Sequence, residues 1–292
     1  MRVLVAVDGS NSSEGVIREV ARRPWPAGSE IAVMTMVDPY FFTKAPLLLE
    51  EAKQSAQKSV DELAKPLVEV GLQVSSTVAV GNPRHGLPRY ASEWKADLVI
   101  MGSHGRGAVG RLLVGSTTQA VLRHATCSVE IVRTKGPVAA GGMRVLLPTD
   151  GSEHAQAAIA AVAARPWPQR SEFRVIVSPE YPVLVGEYPY YAPEQIADLT
   201  KQSLEHANAA VENGAAVMAK VGLKVSSEVL EPKDTPSHSI LEAAKEWNAD
   251  LIVVGSHGRR GFDRLILGSV SETVALHASC SVEVVRVALP VM

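Results

Sequence analysis

The sequence predicts an α/β protein with two tandem domains, each built on a parallel β-sheet that carries helices on both faces. Three observations lead to this prediction. The second half of the 292-residue chain repeats the first, each half alternates β-branched runs with segments of helical periodicity, and the runs "LVIM" and "LIVV" are apolar throughout. Such alternation is typical of βαβ units, and continuous apolarity is typical of strands that are buried on both faces of a parallel sheet.

The repeat defines the domain organisation. "MRVLVAVDGS" at residues 1–10 returns as "MRVLLPTDGS" at residues 143–152, and "HATCSVEIVR" at 124–133 returns as "HASCSVEVVR" at 277–286. A small-residue segment that contains Pro and Gly separates the two copies, as is typical of a connection between domains. We therefore predict domain 1 at residues 1–134, a linker at 135–142 and domain 2 at 143–288.

Each half is predicted to contain five strands and about four helices. In the first half the predicted strands lie at residues 3–7, 31–37, 73–80, 97–101 and 128–132. Segments with helical spacing separate them, for example residues 12–23 and 88–96. The second half follows the same order, with extra residues inserted before Gly222.

Composition and charge narrow the function classes. The chain is 46% hydrophobic and 21% charged, with a formal net charge of −2 and no cluster of basic residues, so nucleic acid and acidic membrane surfaces are poor candidates. The first apolar run ends at Asp8 and is too short for a signal peptide or a spanning helix, so we expect a cytoplasmic protein. The two cysteines, Cys127 and Cys280, are expected to be free and buried.

A glycine loop follows the fourth predicted strand in each half, "GSHGRGAVGRLLVGS" at residues 102–116 and "GSHGRRGFDRLILGS" at 255–269. Gly102 and Gly105 remove side chains where the chain leaves the strand, which permits positive φ and lets backbone N–H groups face a phosphate. After Gly115 a hydroxyl residue opens a predicted helix, and helix N-termini bind anions. Candidate counter-charges in the loops are Arg106, Arg111, Arg259, Arg260 and Arg264.

Two better-known phosphate loops do not fit this spacing. A Walker loop requires G-x-x-x-x-G-K-[ST], and no glycine here precedes such a Lys-Ser/Thr pair. A dinucleotide fingerprint follows the first strand, whereas here Asp8 and Asp150 end the first strands and the glycine loops follow the fourth. If these two strands flank the reversal of strand order, the aspartate and the glycine loop face one crevice.

These motifs together resemble the universal stress protein family, over nearly the whole chain and as two tandem domains. The resemblance rests on "VDGS" and "PTDGS", on the two G-x2-G-x9-G-[ST] loops, and on the closing "H-A-x-C-S-V-E-x-V-R" runs. It implies a Rossmann-like, flavodoxin-like sheet of order 3-2-1-4-5 in each domain, pairing through strand five, and the family branch that binds ATP. Both halves depart from the common Cys-Pro-Val by having Cys-Ser-Val before the last strand.

The resemblance also implies which residues bind the nucleotide. Asp8 and Asp150 would lie by the ribose, and the backbone near Met36 and Ser178 would meet the adenine. The implied site residues of domain 1 are Ala6, Val7, Asp8, Met36, Met101, Gly102, His104, Gly105, Arg106, Gly115, Ser116, Thr117 and Thr118. Those of domain 2 are Pro148, Thr149, Asp150, Ser178, Val254, Gly255, His257, Gly258, Arg259, Gly268, Ser269, Val270 and Ser271. The residues from Gly115 and from Gly268 onward would hold the phosphates, with Mg²⁺.

Three function classes compete at this point. The favoured class is an ATP-binding stress regulator with slow or no turnover, because the sequence shows neither a Walker lysine nor an evident general base. An ATPase or phosphotransferase that phosphorylates its own loop serines is the second, and an interaction module without nucleotide is the third. We assign no catalytic or metal-binding residue, and we interpret His104 and His257 as packing or backbone-positioning residues.

The closing strands are predicted to organise the two halves. Residues 128–133 and 281–286 each end a domain, so they are expected to be apolar edge strands that pair antiparallel with each other, with Glu130 and Glu283 on the solvent face. Exchange between two chains, which gives a homodimer, is the competing arrangement. The tyrosine-rich stretch at 181–195 is interpreted as a partner surface, with a nucleotide lid as the alternative.

Overall fold

The first half folds as an alternation of strands and helices. The structure is a computed structural model that describes residues 1–105, 114–133, 141–179, 193–231, 235–258 and 267–286. The elements of the first half are β1 (Arg2–Ala6), α1 (Asn11–Ala21), β2 (Glu30–Val37), α2 (Leu47–Glu69), β3 (Gln73–Val80), α3 (Pro83–Glu93), β4 (Leu98–Gly102), α4 (Ser116–His124) and β5 (Ser128–Val132). A short 3₁₀ helix, Pro39–Phe42, follows β2.

The second half repeats this order. Its elements are β6 (Arg144–Pro148), α5 (Glu153–Ala163), β7 (Glu172–Val177), α6 (Pro193–Lys220), β8 (Val225–Val229), α7 (Pro236–Glu246), β9 (Leu251–Gly255), α8 (Ser269–His277) and β10 (Ser281–Val285). Helix α6 has 28 residues where α2 has 23, so part of the extra length before Gly222 lies in this helix. None of the helices in the described part of the chain is both long and apolar enough to cross a membrane. Of the tyrosine-rich stretch, residues 181–192 lie outside the described ranges.

All ten strands form one continuous sheet, in the order β3-β2-β1-β4-β5-β10-β9-β6-β7-β8. Each half is parallel and has the order 3-2-1-4-5, so the predicted fold class is confirmed. Strand β1 lies between β2 and β4, and β6 lies between β7 and β9. The strand order therefore reverses beside β1 and β6, and this reversal opens a crevice at the carboxyl ends of the strands.

Apolar layers cover both faces of the sheet. On one face the core is continuous across the two halves and includes Leu4, Ile131 and Val282. On the other face each half has a separate layer, which includes Val5 in the first half and Leu147 in the second. Alternate residues of the central strands therefore enter different layers, as expected for strands that are buried on both faces.

The two halves meet where β5 pairs antiparallel with β10, and we call this pairing the seam. Its register places Ile131 opposite Val282, and Glu130 opposite Glu283. Ser128 donates its N–H toward β4, to Asp97 O at 3.2 Å. Because successive N–H groups of a strand point to opposite sides, the N–H of Ile131 faces β10.

Two arginines extend across the seam to the opposite half. Arg133 Nη2 donates to Ala275 O at 2.6 Å, in the last turn of α8, and Arg286 Nη2 donates to Leu122 O at 2.7 Å, in the last turn of α4. A cation is favourable at a helix C-terminus, where carbonyl groups lack partners within the helix. Burial lowers the pKa of Arg133 to about 10. The arginine that ends each "SVExVR" run therefore stabilises a helix of the other half.

The prediction that Glu130 and Glu283 face solvent is wrong. Their exposed fractions are 0% and 1%. Glu130 Oε2 accepts from Arg23 Nη1 at 2.7 Å, and Glu283 Oε2 accepts from Arg165 Nη1 at 3.0 Å. Pairing makes each closing strand an interior strand of the sheet, and helices α1 and α5 then cover β5 and β10. These carboxylates lie inside the protein because neither closing strand is at an edge of the sheet, where the carboxylates would be exposed.

The two cysteines are buried thiols and are not part of a disulfide, as predicted. Burial raises the pKa of Cys127 to about 11, since a thiolate loses its hydration in an apolar environment. Both cysteines belong to the core layer that is continuous across the two halves, so they act as small apolar side chains.

Candidate functional site

Each half has a cavity at the carboxyl ends of its strands. The first cavity has a volume of about 560 Å³ and the second of about 480 Å³. Each lies between the aspartate loop after the first strand of its half and the glycine loop after the fourth strand. Both volumes lie within the range of pockets for small organic ligands, and the position is where open α/β sheets bind them.

The cavities bring together the residues that the sequence nominates. The first cavity is lined by Ala6, Val7, Asp8, Met36, Met101, Gly102, His104, Gly105, Gly115, Ser116, Thr117 and Thr118. The second is lined by Pro148, Thr149, Asp150, Ser178, Val254, Gly255, His257, Gly258, Gly268, Ser269, Val270 and Ser271. The nominated loop arginines lie outside the described residues; they are Arg106, Arg111, Arg259, Arg260 and Arg264.

The loop between β1 and α1 is organised around the carboxylate of Asp8. Its Oδ1 atom accepts from Ser10 N at 3.0 Å, from Ser10 Oγ at 2.6 Å and from Ser13 Oγ at 3.1 Å. Gly9 follows with a φ of +72°, in the left-handed region that glycine adopts readily. These donors hold the Asp8 side chain in one orientation at the cavity wall.

The glycine loop packs directly on that carboxylate. A Cβ atom on Gly105 would lie 2.5 Å from Asp8 Oδ2, and one on Gly258 would lie 2.7 Å from Asp150 Oδ2. Positive φ, which glycine permits, is not used at Gly102, Gly105, Gly255 or Gly258. Gly105 and Gly258 are required by the close approach of two loops, and Gly102 and Gly255 by the close approach of α1 and α5, not by a left-handed backbone.

Helix α4 directs its N-terminus into the first cavity. Gly115 is the N-cap residue, and Ser116 and Thr117 follow it along the cavity wall. Thr118 Oγ1 donates to Gly102 O at 3.0 Å, which fixes the start of the helix to the end of β4. The first turn contains no acidic residue. Its N–H groups and the helix dipole therefore form a site for an anion.

A histidine of the glycine loop lines each cavity. His104 Nδ1 lies 2.9 Å from Ser103 Oγ, and His257 Nδ1 lies 3.1 Å from Ser256 Oγ. The Nε2 atoms of both rings are buried and have no hydrogen-bond partner among the described residues. A buried polar atom without a partner beside a cavity is a position where a bound ligand can complete the hydrogen bonding.

Several lining residues were not found from the sequence. In the first cavity they are Ser12, Ser13, Val16, Thr35, Pro83, Leu87 and Val114. In the second they are Ala155, Val177, Pro179, Ser203, Ala207, Pro236 and Ile240. Many lie on α1, α3, α6 or α7, which carry no phosphate-loop signature. The one available signal was "GNP" at residues 81–83, where Asn82 caps α3 and Pro83 opens it.

The two cavities differ in the residues that pack against the glycine loop. Ser12 Oγ donates to His104 O at 2.7 Å in the first cavity. At the corresponding place beside the second cavity, the His154 ring lies 5.0 Å from the His257 ring. Burial lowers the pKa of His154, and the neighbouring His257 lowers it further. The Ser12 hydroxyl of the first half is thus replaced in the second half by the imidazole of His154, which packs beside His257.

Comparison with known proteins agrees with this architecture. The profile of the universal stress protein family matches residues 1–133 and 143–286. A universal stress protein of Mycolicibacterium smegmatis is 30% identical over 305 aligned residues, which cover 97% of this chain and 96% of that protein. A universal stress protein of Mycobacterium tuberculosis is 31% identical over 294 residues, with 95% and 94% covered.

Among solved structures, a universal stress protein from Archaeoglobus fulgidus covers 98% of this chain and 96% of its own, with a TM-score of 0.66. Its sequence identity is 22%, so this likeness shows the fold alone. The family profile matches both halves, and the relatives align over nearly the full length. The chain therefore belongs to the universal stress protein family, as a tandem member with two family domains.

Proposed function

We propose that this tandem universal stress protein binds ATP, with Mg²⁺ on the phosphates, and serves in stress regulation with slow or no hydrolysis. The first cavity is the principal site, and the second is the additional one. The observation that carries the proposal is that the Asp8 loop, the glycine loop and the N-terminus of α4 line one cavity of about 560 Å³. Each of the three was nominated from the sequence for a different part of the nucleotide.

The residues of the first cavity suit the two ends of a nucleotide. Met36 and Leu87 provide apolar surface for a base at one end. Ser116 and Thr117 offer N–H and hydroxyl donors for phosphate oxygens at the other, where the helix dipole favours negative charge. Asp8 also lines this cavity, and its carboxylate accepts hydrogen bonds, which suits a ribose hydroxyl.

The donor set also fits a Mg²⁺ ion that arrives with the nucleotide. The described residues contain no group of three His, Cys, Asp or Glu side chains placed to hold a metal. Mg²⁺ typically keeps several waters and is held by one or two carboxylates together with phosphate oxygens. The ion would neutralise phosphate charge, and Asp8, a carboxylate that lines the first cavity, would contact it through its waters.

A turnover assay distinguishes an ATP-binding regulator from an enzyme. The presence of bound nucleotide distinguishes both of these classes from an interaction module. We expect mass analysis of the purified chain to detect adenine nucleotide, and calorimetric titration of nucleotide-free chain with Mg-ATP to show binding. A multiple-turnover assay should release little phosphate. Rapid turnover would favour the ATPase or phosphotransferase class. Absence of heat with verified nucleotide-free protein would overturn nucleotide binding altogether.

Gly115 offers a matched pair of variants. A Cβ atom there would lie 3.6 Å from its nearest neighbour, Ser103 O, and the backbone has φ −59° and ψ 149°, so other residues fit. Gly115→Asp should weaken ATP binding by about tenfold or more, because charge-assisted contacts of about 1.5–3 kcal/mol become repulsive. Gly115→Asn has the same shape and caps the helix equally well, so it should bind ATP more tightly than the aspartate variant. Equal ATP affinities for the two variants would show that the phosphates do not bind at the N-terminus of this helix.

We infer further that the seam operates within one chain and reproduces internally the pairing of two family domains. Size-exclusion chromatography with light scattering should then give the 31.1 kDa monomer as the smallest folded species. Exchange between chains, the competing arrangement, would give twice this mass as the smallest species and would contradict the inference.

A further inference from the structure

Arg84 links two helix N-termini at the edge of the first cavity. It is the second residue of α3, where Asn82 caps the helix and accepts the Arg84 N–H at 3.0 Å. The Arg84 Nη2 atom donates to Ser116 Oγ at 2.8 Å, at the first residue of α4. Pro83, which opens α3, and Ser116 both line the cavity. The guanidinium group therefore lies beside the place proposed for the phosphates.

Arg84 is exposed, and its place beside two helix N-termini favours a bound anion. The N-terminus of a helix carries partial positive charge, so a cation in the first turn is disfavoured. Arg84 lies in the first turn of α3 and contacts the start of α4, and neither first turn contains an acidic residue. Among the described residues no carboxylate forms an ion pair with Arg84. A negatively charged ligand would offset this concentration of positive charge.

Two other groups converge on the same cavity. His104 lines it with a buried Nε2 atom that has no partner among the described residues. Gly115 leaves the N-cap of α4 without a side chain, so nothing from the cap itself occupies the helix end. Arg84 thus adds a flexible cation, able to donate two hydrogen bonds, beside the neutral donors at the N-terminus of α4.

Among the described residues the second cavity has no counterpart of this cation. Ser237 stands at the position of Arg84, and its hydroxyl lies 3.1 Å from Thr235 Oγ1. The next residue, His238, lies 3.5 Å from Glu242 on its own helix. The first turn of α8 also carries Glu272, where α4 has no acid. The two cavities therefore share the glycine loop but differ in charge at the end where phosphates would lie.

We propose that Arg84 is a specificity-determining residue that contacts the terminal phosphates, so that the first cavity selects nucleoside triphosphate over monophosphate and nucleoside. This inference rests on the proposed function, and it assigns the selection to the first cavity alone. The second cavity binds the same base and ribose without this preference for additional phosphates.

The test uses the full-length chain, freed of nucleotide, and calorimetric titration with Mg-ATP, Mg-ADP, AMP and adenosine. Arg84→Ser introduces the residue of the second half. Arg89→Ser is the matched control, because Arg89 lies on the same helix and is exposed, and its ion pair with Glu93 at 3.6 Å is remote from Ser116. Arg84→Lys keeps the charge but loses the bidentate geometry.

We expect Arg84→Ser to weaken ATP binding at the tighter site by about tenfold and adenosine binding by less than about twofold. Arg84→Lys should be intermediate, and Arg89→Ser should match the wild type. Ser237→Arg should strengthen ATP binding at the weaker site and leave adenosine unchanged. The gap between ATP and AMP in the wild type should narrow as salt concentration rises.

Two results would overturn the inference while leaving nucleotide binding intact. One is unchanged ATP affinity in Arg84→Ser, and the other is an equal loss for all four ligands, which would mean that Arg84 only shapes the cavity. Failure of the wild type to bind any of the four ligands is a different result, because it would overturn the proposed function and this inference with it.

Discussion

Glu130 and Glu283 occupy equivalent positions, face each other across the seam and are both buried, yet their surroundings differ. Arg23, the partner of Glu130, also binds Glu19 with its Nε at 2.8 Å from Oε1. Arg165, the partner of Glu283, has alanine at the position that corresponds to Glu19 and donates instead to a backbone carbonyl, Ala161 O, at 3.0 Å. Arg23 therefore has a second carboxylate partner in addition to Glu130, whereas Arg165 has only Glu283 among the described residues.

Burial and charge act in opposite directions in the first cluster. Burial raises the pKa of Glu130. The nearby carboxylates Glu283 and Glu19 raise this pKa further, and the neighbouring Arg23 does not fully offset the increase. Burial likewise opposes ionisation of Glu19, but Arg23 and Arg22 outweigh it and lower the pKa of Glu19. The arginine is thus shared between two carboxylates, and Glu19 holds its charge more readily than Glu130 does.

The largest effect is expected from breaking the seam on which this comparison rests. Ile131→Pro removes the N–H that faces β10, and it should lower the free energy of unfolding by about 4 kcal/mol, since proline in an interior strand also disturbs its neighbours. Val282→Pro should have the same effect, because Val282 is the paired residue of the other half. Hydrogen–deuterium exchange of β5 and β10 is the measurement. Unchanged protection of β10 in Ile131→Pro would contradict the pairing.

Removing one carboxylate charge at a time tests whether Glu19 can replace Glu130 as the partner of Arg23. Glu283→Gln leaves Arg165, whose side chain is 12% exposed, with no carboxylate partner among the described residues, so it should cost about 3 kcal/mol of unfolding free energy. Glu130→Gln should cost about half as much or less, because Arg23 keeps Glu19. Urea denaturation of both variants gives the comparison. A larger loss of unfolding free energy for Glu130→Gln than for Glu283→Gln would show that Glu19 does not replace Glu130 as the partner of Arg23.

The pH dependence of stability should differ between the wild type and Glu130→Gln. Because the folded-state pKa of Glu130 is raised above 4.5, its contribution to stability is complete below that pH and is lost as the pH rises through the folded-state value. The wild type should therefore lose stability relative to Glu130→Gln in the window where the pH rises from 4.5 through the folded-state pKa of Glu130. Glu19 acts in the opposite sense, and its contribution is lost below this window because its pKa is lowered. Parallel stability curves for the two proteins would contradict a raised pKa.

The smallest effect is expected from the exposed ion pair between the halves. Arg123 Nη2 lies 2.7 Å from Glu272 Oε1, with side-chain exposures of 56% and 29%. Arg123→Ala should cost less than about 1 kcal/mol, since solvent and salt screen such pairs. Arg89→Ala is the control, because its partner Glu93 lies in the same helix. A loss of unfolding free energy comparable with that of Glu283→Gln would show that burial does not determine how much an ion pair contributes to stability.

The sequence was sufficient for the order of elements and for the cavity because these depend on local patterns. Alternating periodicities predict strands and helices, and the strand that precedes the glycine loop determines at which end of the sheet this loop lies. Every nominated site residue that the structure describes lines the cavity of its half. The residues that were missed are contributed by helices without a motif, such as Leu87 on α3 and Ser203 on α6.

Only the tertiary structure decided the charge arrangement, because it joins residues that are far apart in the chain. Glu130 meets Arg23 across 107 residues, and Arg133 reaches Ala275 across 142. No local pattern shows that β5 becomes an interior strand. A glutamate between apolar residues of a strand is therefore predicted to face solvent. The contact between Arg84 and Ser116 likewise depends on two helix starts that meet only when the sheet is assembled. Sequence periodicity specifies which face of an element is apolar, whereas the burial of a charge depends on what the completed fold places over it.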